Sequence, residues 1–251
     1  MYGGVNRFND MDMMVIGLHG RGNPSNMTPS HNANGGVIPS LTDEQYRSQM
    51  SLWCMLSSPL ALTCDFRDKP VADGNTSAGT LPNPLITETD LSIMTNPDII
   101  AINQDSLGQQ AEYMEALSTG TRDNVASGYD VYVKDLSGGR HAVAVFNRSS
   151  SSISVPALNL TDLYMKDNVN YSVKNVWDGT TEIITNTLNA GRLKAYQTKV
   201  YVFSLQDNTA IGNVTSDDTK GEAPVYNMAG QRIPTLREGI NVTEGKVVVK
   251  K

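Results

Sequence analysis

The hydrophobic spacing of this chain changes character near Asp105. Before it, apolar residues gather in short continuous runs and one helical stripe. Beyond it they alternate, at Tyr129, Val131 and Val133, at Val143 and Val145, at Val169, Tyr171 and Val173, and at Val200 and Val202. Short apolar runs between helices are the pattern of strands covered on both faces of a parallel sheet, whereas a period of two belongs to antiparallel strands with one face inward. The chain must therefore hold two kinds of layer, an α/β part followed by an all-β part.

In the first part, Thr42 and Gln45 have the spacing of a capping box, and Tyr46, Met50, Trp53, Cys54 and Ser57 follow at helical intervals, which predicts a helix over Asp43 to Leu56. Pro59 ends that pattern, and Leu60 to Cys64 reads as a buried strand. Leu85, Leu91, Ile93 and Met94 suggest a second helix stopped at Asn96-Pro97, with a further apolar turn over Ile99 to Ile102. The segment from His19 to Ser40 is a long Gly, Asn, Pro and Ser loop, unusual in length unless it has a task. In the all-β part, Asp178-Gly179 marks a hairpin, and the strand spacing predicts an antiparallel sandwich of roughly eight strands. The expected organisation is 1–112 α/β, 113–206 sandwich, 207–222 linker and 223–251 a short tail with two or three β-like runs.

Composition narrows the function classes. With 26 acidic against 20 basic residues there is no basic stripe for nucleic acid. No run approaches the roughly 20 apolar residues of a membrane span. Cys54 and Cys64 make no disulfide framework, although a bridge between them stays open, and no Cys/His grouping has metal spacing. Residues 1–9 lack the basic lead and apolar run of a signal peptide and open inside what reads as structure, so an upstream part is expected.

Three segments carry a more specific message: Asn9-Asp10-Met11-Asp12-Met13-Met14; Asp43 to Arg47 through Ser51-Leu52-Trp53 to Ser58-Pro59-Leu60 and Asp65-Phe66-Arg67; and Ile102-Asn103-Gln104-Asp105 with Leu107-Gly108. In order, spacing and identity they resemble the melibiase-type α-galactosidases of glycoside hydrolase family 27, closely over about residues 3–112 and in pattern to about 205. The resemblance implies a (β/α)₈ TIM barrel followed by an antiparallel β-sandwich, with Val5 to Phe8 on the seventh barrel strand and Leu60 to Thr63 on the eighth. A complete barrel needs roughly 250 residues. Only the last two βα units can be accommodated here, and both catalytic aspartates of the family lie on earlier strands, so no catalytic residue is expected in this chain.

The same resemblance places Asp12 and Met13 in the sugar pocket, with Asp10 a weaker third candidate. A carboxylate there accepts hydrogen bonds from sugar hydroxyls and a Met packs on an apolar ring face. Read from the residues alone, Asp10 and Asp12 sit at the C-terminal end of a strand, where alternate side chains point the same way. Asn9 and Asp10 could instead satisfy backbone groups in a tight turn. Phe8 and Met11 depart from the family, which usually has Trp and Pro there.

Other residues read more plainly. His19 and His31 are expected to be solvent-exposed loop residues, and Asp65 and Arg67 to brace the barrel mouth, the alternative being an ion pair beside the pocket. Tyr46 and Trp53 read as core. Trp177, beside a turn, could stack on sugar, although core packing is the simpler reading.

The tail resembles the C-terminal modules of many secreted Bacteroidetes proteins, which implies export and an extracytoplasmic location. The family resemblance implies retaining hydrolysis of terminal α-linked galactose from oligo- or polysaccharides without a metal or organic cofactor, with α-N-acetylgalactosaminidase and β-L-arabinopyranosidase as close variants. The alternative is a non-catalytic fragment or carbohydrate-contacting module. Exposed barrel edges are expected to promote self-association.

Overall fold

The computed structural model describes residues 4–19 except 6, 40–64, 66, 86–120, 127–206 and the strands of the tail. Residues Met1–Gln206 form one compact unit and Asp207–Lys251 a second.

Three helices precede the strands. Helix α1 spans Asp43–Met55, and its capping box is made as the sequence predicts: the Thr42 hydroxyl accepts from Gln45 N and the Gln45 side chain reaches back to Thr42 N. Helix α2, Glu88–Met94, starts with a second capping box in which Asp90 takes the place of the usual Glu or Gln. Helix α3, Pro97–Asn103, is capped by Asn96 and has Pro97 in its first turn, where a missing N–H costs nothing.

Ten strands follow in the first unit. They are β1 (Glu112–Tyr113), β2 (Tyr129–Leu136), β3 (Arg140–Asn147), β4 (Ile153–Val155), β5 (Leu158–Asn159), β6 (Tyr171–Asn175), β7 (Thr181–Ile184), β8 (Thr187–Leu188), β9 (Gly191–Leu193) and β10 (Thr198–Leu205). Six form one antiparallel sheet in the order β1-β2-β3-β10-β6-β7, and two short ladders, β4-β9 and β5-β8, lie apart from it. The predicted strands at Tyr129, Val143, Tyr171 and Val200 and the Asp178-Gly179 turn all appear. The strand count exceeds the expected eight because the two-residue pieces β1, β5 and β8 are too short to leave a period in the sequence.

Parity decides which way each side chain of the sheet goes. Val131, Val133, Val143, Val145, Tyr171, Val173, Tyr201 and Phe203 join one core with the ladder residues Val155, Leu158, Leu188 and Leu193. The alternate positions Ala142, Ala144 and Val200 join a second core with Met50, Cys54 and Met55 of α1 and Ile99 and Ile102 of α3. Ala142 and Ala144 leave room for α1 to lie against the sheet, so the central strands are covered on both faces.

Two connections fasten the helical region to the strands, and a close backbone crossing lies beside them. Lys134, on the helix-facing side of β2, is almost wholly buried. Its ammonium donates to Cys54 O at 3.0 Å, Ile102 O at 2.7 Å and Ser57 Oγ at 2.7 Å, closing the ends of α1 and α3. The Asp105 carboxylate accepts from Ser137 N at 2.9 Å, Ser137 Oγ at 2.7 Å and Leu107 N at 3.1 Å, with Arg140 Nη2 at 3.3 Å. Gly108 has φ +60, and a Cβ there would lie 3.1 Å from the Val5 backbone, so only glycine suits that crossing.

Near the start the structure corrects the sequence reading. Val5 to Phe8 is not a buried strand: Gly4 and Arg7 pair with each other across a tight turn, and Val5 and Phe8 are exposed. The residue that pairs in parallel with the Leu60 to Thr63 segment is Met14, opposite Leu62. Met14 N donates to Ala61 O and Thr63 N to Met14 O. No eight-stranded barrel is built by the described residues. They contain this one parallel bridge.

In the second unit the tail forms four antiparallel strands, more than the two or three expected: β11 (Val225–Asn227), β12 (Arg232–Ile233), β13 (Gly239–Thr243) and β14 (Lys246–Lys250), in the order β12-β11-β13-β14.

Candidate functional site

The segment from Met11 to His19 lies along α1 and is pinned there by side chains at positions 46, 49 and 53, which share one helical face. Tyr46 Oη accepts from His19 N at 2.9 Å, Gln49 Oε1 accepts from Val15 N at 2.9 Å, and the Trp53 indole N–H donates to Asp12 O at 2.9 Å. Just beyond the helix, Ser58 Oγ accepts from Met11 N at 3.0 Å. Asn103 of α3 donates to Ser58 O at 2.9 Å and so steadies that corner. Tyr46 and Trp53 are thus packing residues, as expected, that also hold the segment by hydrogen bonds.

Asp10, Asp12 and Met13 stand together on the exposed side of this segment, Met13 at 52% exposure. Asp12 has φ +70, in the left-handed region, so the argument from alternation along an extended strand does not hold here. Both aspartates also precede the paired residue Met14 and do not cap the C-terminal end of a strand. Asp10 Oδ1 accepts from Asp12 N at 2.9 Å, an Asx turn, and Asp12 Oδ1 accepts from Met13 N at 2.7 Å. Each carboxylate spends one oxygen on the backbone, and both residues are exposed.

His19 departs from expectation. It is half-buried, with Nε2 2.7 Å from Asp90 Oδ2 and its ring edge-on to Tyr46 at 5.7 Å. Asp90 is fully buried; burial alone would raise its pKa, but hydrogen bonds from Thr87 and His19 outweigh that and hold the carboxyl below its usual range. His31, Asp65, Arg67 and most of the His19 to Ser40 loop lie outside the described residues. No disulfide joins Cys54 and Cys64. Burial pushes the Cys54 thiol up to about 12, so it has no nucleophilic character. Among the described residues no three His, Cys, Asp or Glu side chains cluster as metal ligands, and no helix is long and apolar enough to cross a membrane.

The sequence reading missed the fastening role of Gln49, Ser58, Asn103 and Asp105. Ser58, Asn103 and Asp105 stood inside the segments quoted for the family resemblance. Their backbone-directed hydrogen bonds account for those motifs as joints, separate from sugar contact.

Helices fastened to an antiparallel sandwich, with an exposed Asp-Met pair beside a parallel pairing, can be compared with known proteins. Residues 126–203 match the α-galactosidase C-terminal β-sandwich domain. The α-galactosidase of Cyamopsis tetragonoloba is 26% identical over 203 residues, covering 81% of this chain and 38% of its own length. A solved structure from Bacteroides fragilis, provisionally assigned as an α-galactosidase/melibiase, is 28% identical with a TM-score of 0.57 and covers 81% of this chain and 35% of that one. The family 27 β-L-arabinopyranosidase of Geobacillus stearothermophilus shares the fold, at 21% identity and a TM-score of 0.57 over 81% of this chain and 38% of that one. The chain is similar to the C-terminal portion of the melibiase-type α-galactosidases. It spans 24–38% of the length of the curated relatives it matches.

Proposed function

We propose that this chain is the C-terminal part of a retaining α-galactosidase-type glycoside hydrolase that removes terminal α-linked galactose from oligo- or polysaccharides. In this reading Asp12 and Met13 line the sugar pocket, and the region before the sandwich supplies the last two βα units of a TIM barrel. The observation that carries it is the Asp12-Met13 pair, exposed yet fixed: Trp53 holds the Asp12 carbonyl, the Asp12 carboxylate holds Met13 N, and Met14 is locked to Ala61 and Thr63. The second carboxylate oxygen of Asp12 is left to accept from sugar hydroxyls, and the Met13 side chain offers an apolar contact for a ring face. Asp10 serves mainly the turn. The parallel Met14–Leu62 pairing, with α1 crossing between, supports the βα assignment.

Retaining glycosidases need two carboxyl groups about 5 Å apart on opposite sides of the scissile bond. Asp10 and Asp12 share one turn and cannot flank a bond from both sides, so in this proposal the nucleophile and the acid/base lie outside these 251 residues. The 251-residue chain alone is expected to be inert on a chromogenic α-galactoside; turnover abolished by Asp12→Ala would overturn the proposal. Galactose is expected to shift the Met13 methyl resonance, and Asp12→Ala to weaken that binding about tenfold through one lost charge-assisted hydrogen bond. A Met13 signal indifferent to galactose would refute the pocket role.

The identity of the C2 and C5 substituents read by the pocket, which separates galactose from N-acetylgalactosamine and arabinopyranose, is assigned in this proposal to residues beyond these. An extracytoplasmic location fits an enzyme acting on such saccharides. Val5, Phe8 and Phe66 are exposed large apolar side chains of the region before the sandwich. The chain is expected to self-associate, read as concentration-dependent sedimentation, and a monomer at all concentrations would contradict this.

A further inference from the structure

A second feature lies on the other side of α1, where the helix meets the turn after β6 and the turn before β10. A cleft of about 190 Å³ is lined there by Glu44 and Arg47 of α1, Trp177 and Asp178 after β6, and Lys194 and Gln197 before β10. Its volume equals about six water molecules at liquid density, the size of one pyranose ring.

The Trp177 indole N–H donates inward to Ser51 Oγ at 2.9 Å, and Trp177 N donates to Asn175 Oδ1 at 3.2 Å. The ring is therefore held at its inner edge while remaining half-exposed in the cleft wall. Several polar groups around it have unspent capacity. Asn175 Nδ2 donates to Asp178 Oδ2 at 2.8 Å, leaving Asp178 Oδ1. Gln197 Oε1 accepts from Lys194 N at 2.8 Å, leaving its amide N–H groups. Glu44 Oε1 meets Lys194 Nζ at 3.1 Å and Arg47 Nη1 only at 3.6 Å, leaving most of the guanidinium. An immobilised aromatic ring ringed by planar donors and acceptors is suited to a ligand with apolar C–H faces and a girdle of hydroxyls.

We propose that this cleft is an accessory, non-catalytic site for a single pyranose unit of a saccharide, with Trp177 as the stacking platform and Arg47, Asp178 and Gln197 as hydroxyl partners. The choice of a saccharide rests on the reading of the chain as part of a glycosidase. The site itself is separate from the Asp12-Met13 pair.

The chain has two tryptophans, one at each place: Trp53 bonds the Asp12 carbonyl and Trp177 lines the cleft. Galactose and melibiose titrated into the ¹⁵N-labelled full chain can be followed at the two indole N–H resonances, assigned by Trp53→Phe. The Trp177 signal is expected to move saturably with a Kd on the order of 1–10 mM, as suits one small polar ligand. Arg47→Met is expected to weaken the response at least threefold. A Trp177 signal unmoved by either sugar, or a response unchanged by Arg47→Met, overturns the proposal. Because the wild-type chain supplies the primary readout, a misfolded variant does not mask the result. Failure at Trp53 alone bears on the Asp12-Met13 pocket and leaves this site standing.

Discussion

Lys134→Ala is expected to lower the unfolding free energy of the first unit by roughly 3–4 kcal/mol, read from the denaturant midpoint at constant m-value. The substitution removes about three buried methylenes, at about 0.8 kcal/mol each. It also strips the Cys54 and Ile102 carbonyls of their donor, at about 1 kcal/mol or more each. Relief of the buried ammonium offsets part of this. Lys134→Met keeps most of the stem and should cost about half as much, so the pair of variants separates packing from hydrogen bonding. Equal costs for both would mean that the stem contributes nothing.

The pH dependence follows from the direction of the shift. Burial pushes the Lys134 ammonium down to about 8 from 10.5. Between those values the unfolded chain binds the proton and the folded chain does not, so the contribution of this group to stability grows as pH rises through that window. The gap between wild type and Lys134→Met should therefore widen from pH 8 to 10.5. A constant gap would show that the three acceptors hold the ammonium at its ordinary value.

Asp105→Ala is expected to cost about 3 kcal/mol, because it leaves Leu107 N and Ser137 N, both directed at the buried carboxylate, without an acceptor and frees Arg140. Asp105→Asn retains one oxygen and should cost about half that. Burial works against the charge, but the bonds from Ser137 and Leu107 and the Arg140 guanidinium prevail and keep its folded pKa below the ordinary value. Its stabilising contribution is thus complete above the unfolded pKa of about 3.9 and is lost as pH falls through the lower folded value. The wild-type advantage over Asp105→Asn should shrink only below about pH 4; an advantage that vanished near neutrality would remove the carboxylate from this role.

What the sequence disclosed and what it hid follow from range. The Thr42 cap and the stop after α1 depend on neighbours three or four residues apart, so they were legible, as was each strand with a period of two. Lys134 was not: in β2 it shares parity with Tyr132, the face a two-layer sandwich would give to water. Only tertiary packing shows that α1 and α3 cover that face. Ala142 and Ala144 were passed over for the same reason, because small residues look neutral until a helix lies on them. At the site, Asp12 and Met13 could be named from motif resemblance, but the turn that sets them depends on Trp53 and Ser58, more than 40 residues away. The strand at Val5 to Phe8 was carried over from the family resemblance, and the local Gly4–Arg7 pairing that replaces it left no signal in that comparison of motifs.

The double covering of β3 and β10 bears on how this architecture can be inherited. Residues 126–203 match a domain description by themselves, yet that stretch keeps Ala142, Ala144, Val200 and Lys134 without the helices that seat on them. A transplant of that stretch alone would open this face to solvent, so its stability in a new setting depends on a replacement for α1 and α3.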